Sequence, residues 1–107
     1  MPPLPGSDSV GEEARARLDE TIHSPVRLSV VAALAATDEA EFSAVRDAVQ
    51  ISDSALSKAV TVLEQAGYVH VRKGYVGKRP RTWLKLTPAG RGALGDHLAA
   101  LRAIAGG

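Results

Sequence analysis

Five polar side chains within one short stretch, Ser54, Ser57, Lys58, Thr61 and Gln65, have the types and spacing to recognise a nucleic acid. At about 100° per residue they fall along one side of a helix. Small hydroxyls and an amide can hydrogen bond to base edges in a DNA major groove, and a lysine can reach a base or a phosphate. An ordinary amphipathic helix with a solvated outer face shows the same pattern, so the neighbouring sequence has to decide.

The surrounding residues predict a capped helix over residues 53–66. Ser52 is a natural N-cap, since its hydroxyl can accept hydrogen bonds from the free amides of the first turn. Gly67 stands where the left-handed residue after a helix is favoured. An apolar stripe recurs at helical spacing on the side opposite the polar residues: Leu56, Ala59, Val60 and Leu63. The stripe predicts a buried face, which turns the polar side chains outward.

A second cluster of chemistry-bearing residues follows at residues 77–81, where Lys78, Arg79 and Arg81 surround Pro80. The net charge is only +1, but no acid lies between Gln65 and Gly95. Because proline restricts its own backbone and that of the residue before it, we expect a stiff loop outside regular structure. Cations presented in this way suit phosphates or a minor groove, whereas the alternative is a solvated turn at a sheet edge.

The order of the elements connects these two clusters. Residues 43–49 predict a shorter helix capped by Ser43, joined to the helix over 53–66 through a two-residue turn. Runs 68–75 and 82–86 alternate apolar and polar residues on either side of the basic loop, as strands do. A helix-turn-helix followed by a basic hairpin is the order of a winged helix.

At this level the segment 23–91 resembles winged helix-turn-helix transcription regulators of the MarR/ArsR type. The resemblance rests on Ser52, on LSK at 56–58, on LEQAGYV at 63–69, on GKRPRT at 77–82 and on LTPAGR at 86–91. It implies a mostly α, α+β fold with a two- or three-stranded antiparallel wing sheet and flanking terminal helices. It also implies a sequence-specific regulator of double-stranded DNA, with residues 53–66 in the major groove and the loop 77–81 on phosphates or a minor groove. The expected DNA-contacting residues are Ser43, Ser52, Ser54, Ser57, Lys58, Thr61, Gln65, Lys78, Arg79 and Arg81.

The rest of the chain is expected to complete one domain over residues 11–107, after a disordered tail at 1–10 that is rich in proline, glycine and serine. Residues 11–23 predict an amphipathic helix, Ser24 and Pro25 open a buried central helix, and a last helix spans 87–104. Two amphipathic helices flanking a complete winged-helix core suggest a homodimer, and two-fold operators call for one. The predicted dimer interface comprises Leu18, Ile22, Leu94, Leu98 and Leu101.

Several kinds of chemistry are not supported by the sequence. There is no cysteine, and His23, His70 and His97 lie too far apart in sequence for a metal site, so neither a metal nor a cofactor is expected. Gly77 and Lys78 lack the rest of a phosphate-binding loop, and no nucleophile elbow is present, so we do not expect an enzyme. No apolar run reaches the length of a membrane span and no signal peptide opens the chain, which predicts a cytoplasmic protein.

Two alternative functions, and the questions of an effector and of Trp83, remain open from the sequence. A winged helix can also serve as a protein-interaction module without specific DNA binding, and fold does not fix function. Double-stranded RNA is a weaker candidate, because its major groove is too narrow for a recognition helix. An unknown small-molecule effector would have to act at the subunit interface or between the core and the terminal helices. Trp83 could pack on those helices or line such a pocket.

Overall fold

The computed structural model describes residues 7–106 of the chain. Within them the three strands form one antiparallel sheet in the order β1-β3-β2. This mostly helical α+β arrangement, with a three-stranded sheet and helices at both ends, confirms the predicted winged-helix architecture. The elements in chain order are α1 Ser7–Ala16, α2 Pro25–Ala35, β1 Ala40–Glu41, α3 Phe42–Val49, α4 Asp53–Gln65, β2 Val69–Val76, β3 Arg79–Leu86 and α5 Pro88–Ile104.

One hydrophobic core joins α2, α3 and α4 to the sheet and to α5. The predicted central helix α2 is confirmed: Ser24 caps it by accepting a hydrogen bond from the Arg27 amide at 3.4 Å, and proline occupies its first turn. Its inward face and the stripe of α4 are buried together against the sheet, which fixes how α4 is oriented. The principal buried residues are Val30, Val31, Leu34, Val45, Leu56, Ala59, Leu63, Val69, Leu84 and Leu86.

The two ends of α4 follow the sequence prediction closely. The Ser52 hydroxyl accepts a hydrogen bond from the Ala55 amide at 3.1 Å, and Gly67 adopts a φ of +79° just past the helix. The turn before α4 depends on Gln50, which the sequence did not single out. Gln50 has a left-handed φ of +61°, and its amide donates to the Arg46 carbonyl at 2.8 Å. This left-handed residue ends α3 and lets the chain turn sharply into α4.

The start of α3 differs from the prediction. The helix begins at Phe42, so Glu41 holds the N-cap position, and its side chain makes no capping hydrogen bond. Ser43 lies in the first turn rather than at the cap, which makes the predicted capping role wrong. The cause is β1, whose pairing of Ala40 with Leu84 and of Glu41 with Trp83 holds the chain extended up to Glu41.

The N-terminal helix was predicted with the wrong limits. It begins at Ser7, inside the stretch expected to be a disordered tail, and ends at Ala16, so residues 17–23 are turns. Residues 1–6 of the predicted tail lie outside the described residues. Helix α1 stops because the Asp19 carboxylate accepts hydrogen bonds from the amides of Thr21 at 2.8 Å and Ile22 at 3.2 Å. Such local bonds compete with the helical ladder.

The hairpin β2–β3, which we call the wing, is longer and more regular than predicted. Pairing continues to Val76 opposite Arg79, leaving only Gly77 and Lys78 in the turn. Gly77 has a φ of +63°, as the first central residue of a type II′ turn requires. The prediction of irregular structure over residues 77–81 is therefore wrong. Pro80 is tolerated in β3 because β1 pairs only near Trp83 and Leu84, which leaves the outer part of β3 with one neighbour.

The last helix, α5, is confirmed over Pro88–Ile104, with the Thr87 hydroxyl accepting from the Gly90 amide at 3.0 Å. Gly90 is required by close approach, since a Cβ there would lie 2.3 Å from the Tyr68 carbonyl oxygen. Helix α1 packs along α5. No helix among residues 7–106 combines the length and the apolar character needed to cross a membrane.

Candidate nucleic-acid interface

The outer face of α4 presents all five of the polar side chains identified in the sequence. Ser54, Ser57, Lys58, Thr61 and Gln65 are exposed along it, because the opposite stripe is buried in the core. The Thr61 hydroxyl donates to the Ser57 carbonyl at 2.9 Å, which leaves its oxygen lone pairs free to accept from a base. The Ser52 hydroxyl oxygen accepts the capping hydrogen bond from the Ala55 amide. The face can therefore donate and accept hydrogen bonds at several points along a groove.

An acid at the start of α4 is neutralised locally. Arg46 of α3 binds Asp53 through Nη1 at 2.8 Å and Asp47 through Nε at 3.0 Å. Hydrogen bonds to these two carboxylates, Asp53 foremost, raise the pKa of Arg46. The Arg46–Asp53 ion pair joins α3 to α4, and it offsets the negative charge that Asp53 would otherwise present to a polyanion. Arg46 was not identified from the sequence, because its partner lies seven residues away across a turn.

The three cations predicted for the wing are not equivalent. Lys78 and Arg79 are exposed at the turn, and no carboxylate of the described residues lies within 4 Å of either. Arg81 is half-buried, and its Nε binds Glu41 Oε1 at 3.0 Å. Two of the predicted cations are thus available at the tip, and the third is already paired with an acid of β1.

The outer face of the wing is braced by Arg72, Trp83 and Glu39. Arg72 binds the Glu39 carboxylate through Nη2 at 2.7 Å and Nε at 3.2 Å, and this bonding lowers the pKa of Glu39. Its guanidinium also lies 4.1 Å from the centroid of the Trp83 ring. Trp83 therefore packs against Arg72 on the outer face of the wing, a location that the sequence did not suggest. A Cβ at Gly74 would come within 3.2 Å of this ring.

Between the wing and the first turn of α3 lies a groove of about 530 Å³. Ser43, expected to contact DNA, is half-buried in its wall beside Phe42. The opposite wall carries Tyr75 and Lys73, which were not among the predicted residues. The alternation along β2 could have identified them, since both share the inward-facing parity of Val69 and Val71 beyond the end of the core.

The residues predicted for a dimer interface divide into two groups. Ile22 is fully buried and Leu94 is 9% exposed within a single chain, so in this structure both belong to the core and offer no surface to a second copy. Leu98 is 37% exposed, while Leu18 and Leu101 are half-buried. Ile104, at the end of α5, is also exposed, although the prediction omitted it as an interface residue.

Histidines do not form a metal site within the described part of the chain. No group of three or more His, Asp or Glu side chains is placed to hold a metal ion among residues 7–106. His97 is buried, and its Nδ1 accepts a hydrogen bond from the Asp19 amide at 3.0 Å. Burial, aided by His23 with its ring centroid 5.4 Å away, lowers the pKa of His97.

A helix-turn-helix whose second helix exposes a polar face, followed by a cationic hairpin, defines the winged helix-turn-helix class of DNA-binding proteins. Comparison with known families agrees. The chain belongs to the family described as the winged helix DNA-binding domain, which matches residues 26–105. The family is one of DNA-binding domains, as expected from the sequence.

Solved structures of transcription regulators, one of them of the MarR family, share this fold. A transcriptional regulator homologue from Pyrococcus horikoshii OT3 is 26% identical, with a TM-score of 0.79 over 92% of this chain and 95% of that one. A MarR-family regulator from Silicibacter pomeroyi is 23% identical, with a TM-score of 0.64 over 92% and 65% of the two chains. A regulator from M. tuberculosis, MosR, solved in complex with DNA, is 18% identical, with a TM-score of 0.67 over 92% and 71%.

Proposed function

We propose that this winged-helix transcription regulator binds double-stranded DNA sequence-specifically, as a homodimer. In each subunit α4 lies in a major groove, and the wing reaches phosphates or the adjoining minor groove. The observation that carries the proposal is the exposed polar face of α4 beside a wing tip whose cations, Lys78 and Arg79, have no acidic partner within 4 Å among residues 7–106. The DNA complex of MosR supports it by analogy of fold.

The two elements suit different parts of the task. The face of α4 carries four neutral polar side chains and one lysine, which favours hydrogen bonding to bases over simple charge attraction. The wing tip offers cations without acids, which favours phosphate contacts that position the protein regardless of sequence. Specificity is therefore assigned to α4, and most of the salt-dependent affinity to the wing.

The dimer is assigned to the outer side of α5 together with the N-terminal segment. Leu98 and Ile104 are exposed and Leu101 is half-buried, so the chain leaves an apolar strip on its last helix uncovered. A symmetric pair would bury both copies of the strip and present two copies of α4 to a two-fold site. Ile22 and Leu94 would support this surface from within the chain.

Selection of bound fragments from a pool of genomic DNA tests the proposal. Recovery of fragments that share a two-fold motif is the expected result, and recovery of unrelated sequences would contradict specific binding. Light scattering on the same protein should give the mass of a dimer at micromolar concentration. Replacement of Leu98 and Leu101 by glutamate should give monomers that bind the selected fragment much more weakly. A monomeric unmodified protein would contradict the homodimer.

An effector, if one acts on this protein, is assigned to the space between the N-terminal segment and α5. A concavity of about 450 Å³ lies there, and Leu18, Asp19, Tyr68 and Asp96 are among the residues that line it. A ligand in this position would contact α5 and Tyr68, the residue that precedes β2. It could therefore favour one arrangement of the wing over another. Mapping a DNA-releasing ligand to the exposed face of α4 instead would contradict the assignment.

A further inference from the structure

The groove between the wing and α3 has one wall that the proposed function leaves unassigned. Tyr75 is 74% exposed, the highest exposure among the large hydrophobic side chains described. It stands opposite Pro80 on β3, one residue before the end of β2. The groove wall that faces it includes Phe42 and Ser43 in the first turn of α3. An aromatic ring is thus presented to solvent across from a helix start.

The direction of the Tyr75 side chain follows from the register of the wing. Side chains alternate along a strand, so Tyr75 and Lys73 share the face of the sheet that carries Val69 and Val71 toward the helices. The neighbouring Val76, which is 57% exposed, lies on the opposite face. The wing tip therefore has two apolar residues side by side in sequence, of which only Tyr75 lines the groove.

Regular strands form the wing side of the groove up to the turn. A two-residue turn closes the hairpin directly after Val76, which leaves no flexible loop at the tip. The stack of Arg72 on Trp83 braces the other face, and the Arg81–Glu41 ion pair joins β3 to β1. The backbone that carries the Tyr75 ring is therefore already in regular structure before a partner covers it, which lowers the cost of binding.

The charge around the groove identifies the kind of partner. Lys73 is exposed and no carboxylate of the described residues lies within 4 Å of it. The one acid in the lining, Glu41, is paired with Arg81 at 3.0 Å. The first turn of α3 borders the groove, and the Glu41 side chain accepts no capping hydrogen bond from the amides of that turn. The positive end of the helix dipole is therefore not offset by a cap there. The lining is thus apolar with a cationic rim, which suits a chain that alternates apolar rings with anions.

A DNA strand has this alternation of deoxyribose and phosphate. When α4 occupies a major groove and the wing tip the adjoining minor groove, the single strand that separates the two grooves has to pass between them. We infer that this strand lies in the groove between the wing and α3, with the Tyr75 ring against a deoxyribose and the Lys73 ammonium on an adjoining phosphate. The inference rests on the proposed function and gives a role to two residues which that function leaves unassigned.

The experiment measures fluorescence anisotropy of two labelled duplexes across a salt series. One duplex is a fragment selected by the unmodified protein, and the other is a scrambled sequence of the same composition. Tyr75→Ser should weaken binding to both by about tenfold, the loss expected for removing roughly 60 Å² of apolar contact. The salt slope should not change, because the lost contact carries no charge. Lys73→Gln should reduce that slope by about one.

One further variant makes the assignment specific. Tyr75→Phe keeps the ring and should bind like the unmodified protein. Equal affinity of Tyr75→Ser and the unmodified protein would overturn the inference and leave the proposed function intact. So would a loss confined to the selected duplex, which would indicate a base contact, or an equal loss in Tyr75→Phe, which would indicate that the hydroxyl and not the ring makes the contact. Failure of the unmodified protein to bind either duplex would overturn both.

Discussion

Helix α4 and the wing are held in place by different forces. Helix α4 is fixed from beneath by side chains that are fully buried, such as Leu56 and Leu63. The outer half of the wing extends beyond the core, and exposed or half-buried contacts hold it: the Arg72–Glu39 and Arg81–Glu41 ion pairs and the stack on Trp83. Burial is strong and insensitive to salt, whereas such ion pairs are weak and screened.

This difference suits the separate tasks proposed for the two elements. Hydrogen bonds to base edges need donors and acceptors fixed within a fraction of an ångström, and a helix packed on a core provides that. Phosphate contacts depend less on geometry, so a hairpin braced at the surface is sufficient. The bracing has a consequence for charge, because Glu39 and Glu41 neutralise cations that could otherwise bind DNA. Glu41 of β1 and Glu39 just before it therefore set how much charge the wing presents.

The largest expected effect breaks the support of α4. Leu63→Ala should lower the free energy of unfolding by about 2–5 kcal/mol, because it removes a fully buried side chain and leaves a cavity. Gln65→Ala, two residues further on and exposed, should change it by less than about 0.5 kcal/mol. Urea denaturation of the two variants measures both values, and a similar stability for them would contradict the two-faced description of α4.

A smaller effect is expected when the wing loses its bracing. Gly74→Val should destabilise the protein by about 1–3 kcal/mol. Its Cβ would lie 3.2 Å from the Trp83 ring, and the larger side chain would push that ring out of place. The sign of the stability change is informative, because valine is favoured in strands and would stabilise β2 if the Trp83 ring were not in its way. Gly95→Ala on α5 is the matched control, since an added Cβ there meets no atom within 4 Å beyond its own stretch of helix, and it should raise stability by about 1 kcal/mol. Thermal unfolding followed by Trp83 fluorescence distinguishes these outcomes.

The charge carried by the wing can be raised by removing an acid. Glu41→Gln should release Arg81 and strengthen binding to selected and scrambled duplexes alike, by about threefold, with a salt slope steeper by up to about one. In the matched variant Glu39→Gln, Arg72 should remain stacked on Trp83, so the gain should be smaller. Anisotropy titrations at several salt concentrations measure both. Equal or weaker binding by Glu41→Gln would show that the pair is needed to position the wing.

The smallest expected effect is on the pH dependence of folding stability, and it involves His97 on α5, outside both α4 and the wing. The folded-state pKa of His97 is lowered, so the unfolded chain binds the proton more readily than the folded one. The associated stability is present above the ordinary pKa of about 6.5 and is lost as pH falls through the lower folded-state value. Thermal unfolding between neutral and mildly acidic pH should show this decline, and His97→Gln should reduce it. An unchanged decline in that variant would place the titrating group elsewhere.

Features encoded in neighbouring residues could be predicted, and those set by distant partners could not. The caps and stripe of α4 follow from residues within one helix, as does the start of α2 at Ser24 and Pro25. The predicted end of α1 was wrong because the Asp19 carboxylate forms a local turn. The Asp19 amide also donates a hydrogen bond to His97 on α5, far along the chain. Pairing of Arg81 with Glu41 depends in the same way on β1 lying beside β3.

The wing illustrates the same limit within the candidate site. Its basic residues were evident in the sequence, but the continuation of β3 through Pro80 depends on how little of β3 is covered by β1. The position of Trp83 under Arg72 depends on a cross-strand register fixed by the two-residue turn. The alternation along β2 indicates the face on which Tyr75 lies, but only the fold shows that its side chain lies beyond the core and lines a groove.

The measurement that most directly tests the division between α4 and the wing compares two double variants on one selected and one scrambled duplex across a salt series. Ser54→Ala with Thr61→Ala should cost about 1–3 kcal/mol per lost base contact on the selected duplex and leave binding to the scrambled one nearly unchanged. Lys78→Ala with Arg79→Ala should weaken binding to both duplexes and flatten the salt dependence by about one unit of slope per lost phosphate contact. Full affinity and an unchanged slope in the wing variant on both duplexes would contradict the account.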